Sequence, residues 1–240
     1  MVPSISLVLL AGGLASRLQP LTEKMPKAML EVAGEPFISH QLRLFKREGL
    51  QDIVICAGHL GNQIEEYVGD GSKFGLKVRY SLDGSALLGT GGAISNALPM
   101  LEDQFWVMYG DSFLNISFQP ILEYYFSQGC SGLMTVLLNK NQWDKSNVIF
   151  RDDRIVKYSK AGIASGMNYI DYGLGILNKS AFSLWKLGGK FDLASVYCEL
   201  VSKGELAGYE VAQRFYEIGS LSGLEETREY VKHFNLDSTP

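Results

Sequence analysis

An apolar run at 7–11 leads directly into Gly12 and Gly13, Arg17 stands four residues further on, and Lys27 follows Pro26. Glycine has no Cβ, so a pair of them lets the backbone turn sharply and lets an anion approach the amide N–H groups. Two cations downstream would neutralise the charge that moves during phosphoryl or nucleotidyl transfer. These residue types at this spacing suit a triphosphate. They do not form a Walker A loop, which needs Gly-Lys-Ser/Thr after a glycine and four residues. They do not form a dinucleotide fingerprint either, because Gly12-Gly13-Leu14-Ala15-Ser16-Arg17 lacks the G-x-G-x-x-G spacing. A further chemical group is Asp111, which follows Gly110 at the end of the apolar run 105–109. A carboxylate at the C-terminal end of a parallel strand lies at the ligand edge of an open α/β sheet; its structural alternative is a turn or cap residue.

The elements that must position these groups alternate. Strands are expected at 7–11, 53–57, 76–81, 105–109, 132–139 and 169–177, and helices at 36–49, 62–68, 118–128 and 193–203. The first helix carries Phe37, Ile38, Leu42 and Phe45 as an apolar stripe, faces Arg43, Lys46 and Arg47 outward, and stops at Gly49. Segments 147–150 and 154–158 read as a hairpin around Asp152 and Asp153, and 207–212 as an edge strand. A second glycine motif, Leu88-Gly89-Thr90-Gly91-Gly92-Ala93, opens a helix through Leu98. Strand–helix alternation of this kind indicates βαβ units and a mainly parallel sheet.

With 240 residues, 46% hydrophobic and 20% charged, the chain can bury a sizeable core. Its net charge of −4, with Lys and Arg scattered, argues against a nucleic-acid or anionic-membrane partner. Cys56, Cys130 and Cys198 form no C-x-x-C, which argues against a zinc site or redox pair and for small core residues in a reducing compartment. The apolar start at 5–11 has no preceding Lys or Arg, unlike a signal peptide, and no apolar run is long enough to span a bilayer. A soluble, cytoplasmic protein is expected. His40, His59 and His233 have no motif around them and are expected to be structural.

Leu10, Gly12, Gly13, Arg17, Leu18, Pro20, Leu21, Thr22, Pro26 and Lys27 together resemble the opening of the sugar-1-phosphate nucleotidyltransferases, with Ala15 and Ser16 where that pattern has Gly and Thr. The resemblance runs from Ile5 to about Val231. It implies a Rossmann-like α/β fold, a mixed, mainly parallel sheet flanked by helices. It also implies a single domain over 1–234, with a mainly nucleotide-binding half (1–111) and a mainly sugar-phosphate-binding half (112–234); the tail at 235–240 is itself expected to be disordered. Arg17 and Lys27 become the catalytic cations, and Leu10, Ala11, Gly12, Gly13, Leu88, Gly89 and Thr90 the nucleotide-binding residues. The Gln that precedes the second motif in pyrimidine-specific relatives falls here on Gly84. Asp111 becomes a Mg²⁺ ligand, and Glu217, in Tyr216-Glu217-Ile218-Gly219, replaces the family's second metal-binding Asp. Lys160 matches the Lys that holds the sugar phosphate, with Ser159 replacing a Glu, and Asp171-Tyr172-Gly173 falls where the family has Asn-x-Gly. Asn147 joins the same sugar-phosphate group.

The implied reaction takes an NTP and a sugar 1-phosphate to an NDP-sugar and pyrophosphate. The chain is similar in outline to short heptose- and mannose-1-phosphate guanylyltransferases and to uridylyltransferases of muramic-acid recycling, with a lean to the former. Ser159 and Asp171 leave open a cytidylyltransferase acting on a non-sugar phosphate or phosphonate. An inactive nucleotide-sugar-sensing subunit is opposed by the intact Arg17, Lys27 and Asp111. Self-association into a homo-oligomer stays open.

Overall fold

A computed structural model describes residues 5–84, 86–161 and 165–233. In chain order its elements are β1 (Leu7–Leu10), β2 (Glu31–Val32), β3 (Glu35–Pro36), α1 (Phe37–Arg47), β4 (Asp52–Ala57), α2 (Gly61–Val68), β5 (Lys77–Leu82), α3 (Gly89–Ala97), β6 (Gln104–Tyr109) and β7 (Ser112–Phe113). There follow α4 (Gln119–Gln128), β8 (Gly132–Leu138), β9 (Val148–Arg151), β10 (Arg154–Tyr158), β11 (Tyr169–Asn178), α5 (Leu193–Ser202), β12 (Leu206–Val211), β13 (Tyr216–Glu217) and α6 (Leu221–His233). The expected tail at 235–240 lies outside the described residues.

β1 has no polar position, and both of its faces are covered. Leu7 and Leu9 pack with Ile38, Leu42 and Phe45 of α1, while Val8 packs on the opposite face with Ala93 and Ile94 of α3. A strand of this composition belongs inside a parallel sheet. The nine-stranded order is β5-β4-β1-β6-β11-β8-β12-β10-β9. β5, β4, β1 and β6 are mutually parallel, and only β11 and β10 run against the rest. Strands from both ends of the chain therefore share one sheet. In register, Leu10 stands opposite Cys56 and Tyr109, and Ala57 opposite Leu82, so the four parallel strands end together. Ala11, Gly58, Asp83 and Gly110 follow along one edge.

A third, smaller core lies beside that edge. Leu18, Leu30, Phe37, Phe113, Ile218 and Leu224 are all buried in it. The opening loop, the segment after β6 and the segment before α6 are joined there.

Three expectations need correction. The strand expected at an edge, 207–212, is β12 and lies inside the sheet, paired in parallel with β8 along its whole length. On its other side the β9–β10 hairpin pairs with it at Arg154 and Ala207; β5 and β9 end the strand order, and β9 also pairs with β11 at Val148 and Tyr169. Arg47 does not face outward with Arg43 and Lys46: it is largely buried and donates to Glu48 Oε1 (2.9 Å) and Asn115 Oδ1 (2.9 Å). Of the cysteines only Cys56 is a core residue, since Cys130 is half-buried and Cys198 exposed.

Within the opening loop, Leu18 is fully buried while Leu14 is 53% exposed. Leu18→Ala should lower stability by about 2–5 kcal/mol, and Leu14→Ala should change it by about 0.5 kcal/mol or less. Urea unfolding of both variants checks this, and equal losses would contradict the packing.

Candidate active site

The strand ends open into a cavity of about 700 Å³. Every residue singled out above for binding or catalysis lines it except Leu88. Leu88 instead gives its amide to Asp83 Oδ2 (3.1 Å) and its carbonyl to the Phe191 amide (3.0 Å).

The opening loop reaches the cavity along an unexpected path. Neither Gly12 nor Gly13 has a positive φ; the left-handed residue is Ala15, at φ 49°, where the resembled pattern has Gly. Gly12 is needed for close approach, because a Cβ there would stand 2.9 Å from the Gly58 amide nitrogen. Thr22 closes the loop by donating to Ala15 O (2.9 Å). Arg17 then sits on a 3₁₀ turn anchored by buried Leu18, and Lys27 on a second turn anchored by buried Ala28.

At this end the charged groups converge. Lys27 Nζ lies 2.6 Å from Asp111 Oδ2, both half-buried. β13 pairs with β7 so that Glu217 stands opposite Ser112, and the Ile218 amide donates to Asp111 O (2.9 Å). The point where a Cβ on Gly219 would stand is 2.7 Å from Glu217 Oε2, 3.2 Å from Asp111 Oδ2 and 3.4 Å from Arg17 Nη2. Glu217 is held by the Gly219 amide and by Ser220 Oγ (2.6 Å) at the N-terminal end of α6. Its extra methylene, compared with Asp, fits because Gly223 is bare: a Cβ there would overlap Glu217 Oε1. Among the described residues no group of three or more His, Cys, Asp or Glu that could hold a metal is formed. Two carboxylates with positions left for water and phosphate oxygens fit a hard divalent cation.

Further along the cavity, β11 bulges against β8 between Asp171 and Gly175, with Gly173 at φ 89°. A bulge re-aims a side chain. Asp171 Oδ1 accepts the Gly173 amide (3.0 Å), Oδ2 accepts the Tyr109 hydroxyl (3.1 Å), and Asn147 Oδ1 accepts the Asp171 amide (2.9 Å). Burial pushes the Asp171 carboxyl up to about 6 despite these two donors. Tyr172 lines the wall and packs edge-on against Phe215. Lys160, 64% exposed, pairs with Asp192. Asp192 also caps α5 through the Ala194 amide (2.9 Å), while Thr90 Oγ1 accepts the next amide, Leu193 (2.9 Å). Burial raises the Asp192 carboxyl, but hydrogen bonds from Lys160 and Ala194 and the charge of Lys160 outweigh it and leave a net lowering.

Sequence reasoning passed over Asp83, Tyr109, Trp143 and Asp192, which also line the cavity. Asp83 follows a parallel strand just as Asp111 does, so the same positional signal was available. Trp143 and Asp192 lie in loops, and only tertiary structure brings them in.

In the folded protein Asp171 stays protonated to higher pH than in the unfolded chain. Its contribution is therefore full below about pH 4, where an unfolded Asp titrates, and is lost as pH rises through about 6. The amide of D171N does not titrate, so this variant should gain stability relative to the parent across that window and level off above it. Urea unfolding at successive pH values measures the difference, and a constant gap would contradict the burial of the charge.

A family model described as nucleotidyl transferase matches residues 6–149. N-acetylmuramate alpha-1-phosphate uridylyltransferase of Neisseria meningitidis serogroup B is 30% identical over 224 residues, 92% of this chain and 96% of that one. D-glycero-alpha-D-manno-heptose 1-phosphate guanylyltransferase of Aneurinibacillus thermoaerophilus is 25% identical, over 95% of this chain and 98% of that one. Among solved structures, HddC from Yersinia pseudotuberculosis complexed with GMP-PN has a TM-score of 0.79 at 24% identity, covering 95% of this chain and all of that one, and so shares the fold. No helix among the described residues is long and apolar enough to cross a membrane. The family match over more than half the chain and the near full-length relatives make this chain a nucleotidyltransferase, a member of the nucleotidyl transferase family.

Proposed function

We propose that the chain joins an NTP to a sugar 1-phosphate, giving an NDP-sugar and pyrophosphate, with GTP as the NTP and a heptose or mannose 1-phosphate as the acceptor. The observation that carries the reading is the convergence of Arg17, Lys27, Asp111 and Glu217 at one end of a cavity whose other wall carries Asn147, Asp171 and Lys160. The choice of GTP and heptose follows two heptose-1-phosphate guanylyltransferases matched over nearly their whole length, and mannose follows a guanyltransferase matched over 60% of its length; the uridylyltransferase, matched as fully at 30% identity, is the reading it competes with. An inactive subunit is not favoured, since the charged groups needed for transfer all line the cavity. The proposed unit is one domain over 1–234, working in the cytoplasm.

An oxygen of the sugar phosphate forms a bond to the α-phosphorus as the bond to the β-phosphate oxygen breaks. The nucleophile is already an anion, so no proton has to be removed, in keeping with the roles of two histidines. His40 hydrogen-bonds Val32 O through Nε2 (2.8 Å) and His233 pairs with Glu229. The difficulty is bringing anions together, and preorganised charge answers it. The Ala11 amide is taken by Cys56 O (2.8 Å), so the loop amides after it, at Gly12 and Gly13, would cradle the triphosphate. Arg17 would hold the departing pyrophosphate, Lys27 would offset charge at the α-phosphate, and Lys160 would hold the incoming phosphate. Asp111 and Glu217 would hold Mg²⁺, which when bound supplies positive charge to the phosphate oxygens. Asp171 would accept from sugar hydroxyls.

Pyrophosphate release across the four NTPs with a panel of sugar 1-phosphates tests the reading, and no release with any pair would contradict it. With the best pair, Lys27→Ala and Arg17→Ala should each cut turnover by roughly two to three orders of magnitude while circular dichroism stays that of the parent. Near-normal turnover in either would remove that residue from the mechanism. Asp111→Asn and Glu217→Gln should each raise the Mg²⁺ concentration for half activity. Gly223→Ala should do the same without changing any charge, because its new methyl displaces Glu217. Unchanged metal dependence in Glu217→Gln and Gly223→Ala would leave the ion to Asp111 and the phosphates.

A further inference from the structure

Trp143 is a large apolar side chain on the cavity wall that the reaction above leaves without a task. Its loop, 139–147, joins β8 to β9 and is held from within. Asn139 is almost fully buried. It accepts the Trp143 amide through Oδ1 (3.1 Å) and donates through Nδ2 to Asp144 O (2.7 Å) and Ser146 Oγ (3.0 Å). The Asn141 amide donates to the same Oγ (3.0 Å), and Asn141 Oδ1 accepts the Ser146 amide (2.8 Å). The loop is therefore fixed in place, yet Trp143 remains 41% exposed. An indole kept in water forgoes hydrophobic free energy that a ligand packed on it recovers.

One side of the indole is already covered. Arg214, between β12 and β13, has its Cζ 3.6 Å from the centre of the Trp143 ring and 4.9 Å from that of Tyr216. Tyr216 in turn stacks on Tyr230 of α6, with centres 3.8 Å apart and planes 16° from parallel, and Glu226 of α6 pairs with Arg214. These side chains form one column from α6 to the cavity wall. Arg214 does not itself line the cavity, so its hold on a ligand there is through Trp143. The same loop ends at Asn147, which lines the cavity and accepts the Asp171 amide (2.9 Å). Trp143 thus enters the cavity with the groups assigned above to the acceptor.

We propose that Trp143 is a wall of the acceptor subsite, packing on the C–H face of a sugar ring, and that Arg214 is the positioning residue that holds the indole there. This deepens the nucleotidyl-transfer reading and rests on it. A pyranose combines a C–H face, which suits an indole, with hydroxyls at its rim, which suit the carboxylate of Asp171. An acyclic phosphate offers no such face. A quaternary ammonium can also lie on an indole, but the Arg214 guanidinium already occupies the ring's negative quadrupole and would oppose a second cation.

Steady-state kinetics with Mg²⁺ and the best pair of the panel, GTP with mannose 1-phosphate in the first instance, tests the proposal. Trp143→Ala should raise KM for the sugar phosphate roughly tenfold or more and leave KM for the NTP unchanged. Trp143→Phe keeps a ring and should recover most of that loss. Arg214→Gln should raise the same KM roughly threefold or more, and should add nothing once Trp143 is replaced by Ala, because it acts through the indole. In the parent, sugar phosphate added with Mg²⁺ and a non-hydrolysable analogue of the NTP should change the tryptophan emission, and Trp143→Phe should abolish the change. A normal KM in folded Trp143→Ala, or equal rises in both KM values, would overturn the proposal. So would additive effects of the two substitutions, or parent emission that saturating sugar phosphate leaves unaltered. Faster release with phosphocholine than with any sugar 1-phosphate would overturn it while leaving nucleotidyl transfer standing. No release with any acceptor would overturn both.

Discussion

The active site depends on a two-residue pairing. Glu217 of β13 stands opposite Ser112 of β7, and the Ile218 amide donates to the carbonyl of Asp111. This contact spans more than a hundred residues of sequence and brings the acid near the C-terminal end of the chain beside the acid at the end of β6. Two strands of two residues would not hold by themselves. The small core beneath them does, with Phe113 and Ile218 buried against Leu18, Leu30 and Leu224. Leu18 adjoins Arg17, Leu30 follows the turn that carries Lys27, Phe113 lies two residues from Asp111, and Ile218 adjoins Glu217. One apolar cluster thus fixes four charged side chains that would otherwise sit on separate loops.

The placement has an electrostatic consequence. Lys27 and Arg17 bring positive charge to a corner that also holds two carboxylates, and the four lie within reach of one point beside Gly219. Under the proposed function, phosphates entering there would meet charge that is already in position, leaving little reorganisation for the reaction itself. Glu217 shows how a longer acid is accommodated. The serine at 220 and the bare glycines at 219 and 223 fold its carboxylate back toward Asp111. The same sheet edge spaces the rest of the cavity wall, with Asp83 past β5 at one end and the Asp171 bulge of β11 at the other.

Much of this was legible in the sequence, for physical reasons. The parallel strands announce themselves as uninterrupted apolar runs, and the glycine loop and Gly-Asp lie at their ends, where topology puts ligands. The edge reading of β12 failed because no local signal says that a hairpin earlier in the chain will pair alongside it. Arg47 was misread because its partner, Asn115, is far away in sequence. Trp143 and Asp192 reach the cavity from loops whose course is set by packing, and Gly223 matters only because of the rotamer that Glu217 adopts. Asp83 was readable by position alone, since it ends a parallel strand as Asp111 does.

The central claim is that acids from two distant segments serve one cation at the phosphate end of the cavity. The most direct measurement is the anomalous scattering of Mn²⁺ in crystals grown with a non-hydrolysable GTP analogue. The account predicts one Mn²⁺ peak with an oxygen of Asp111 and an oxygen of Glu217 both in its shell, at roughly the 2.1 Å typical of such hard-oxygen sites, and the triphosphate against Arg17 and Lys27. An ion bound by Asp111 and phosphate alone, with Glu217 still held by the Gly219 amide and Ser220, would contradict it.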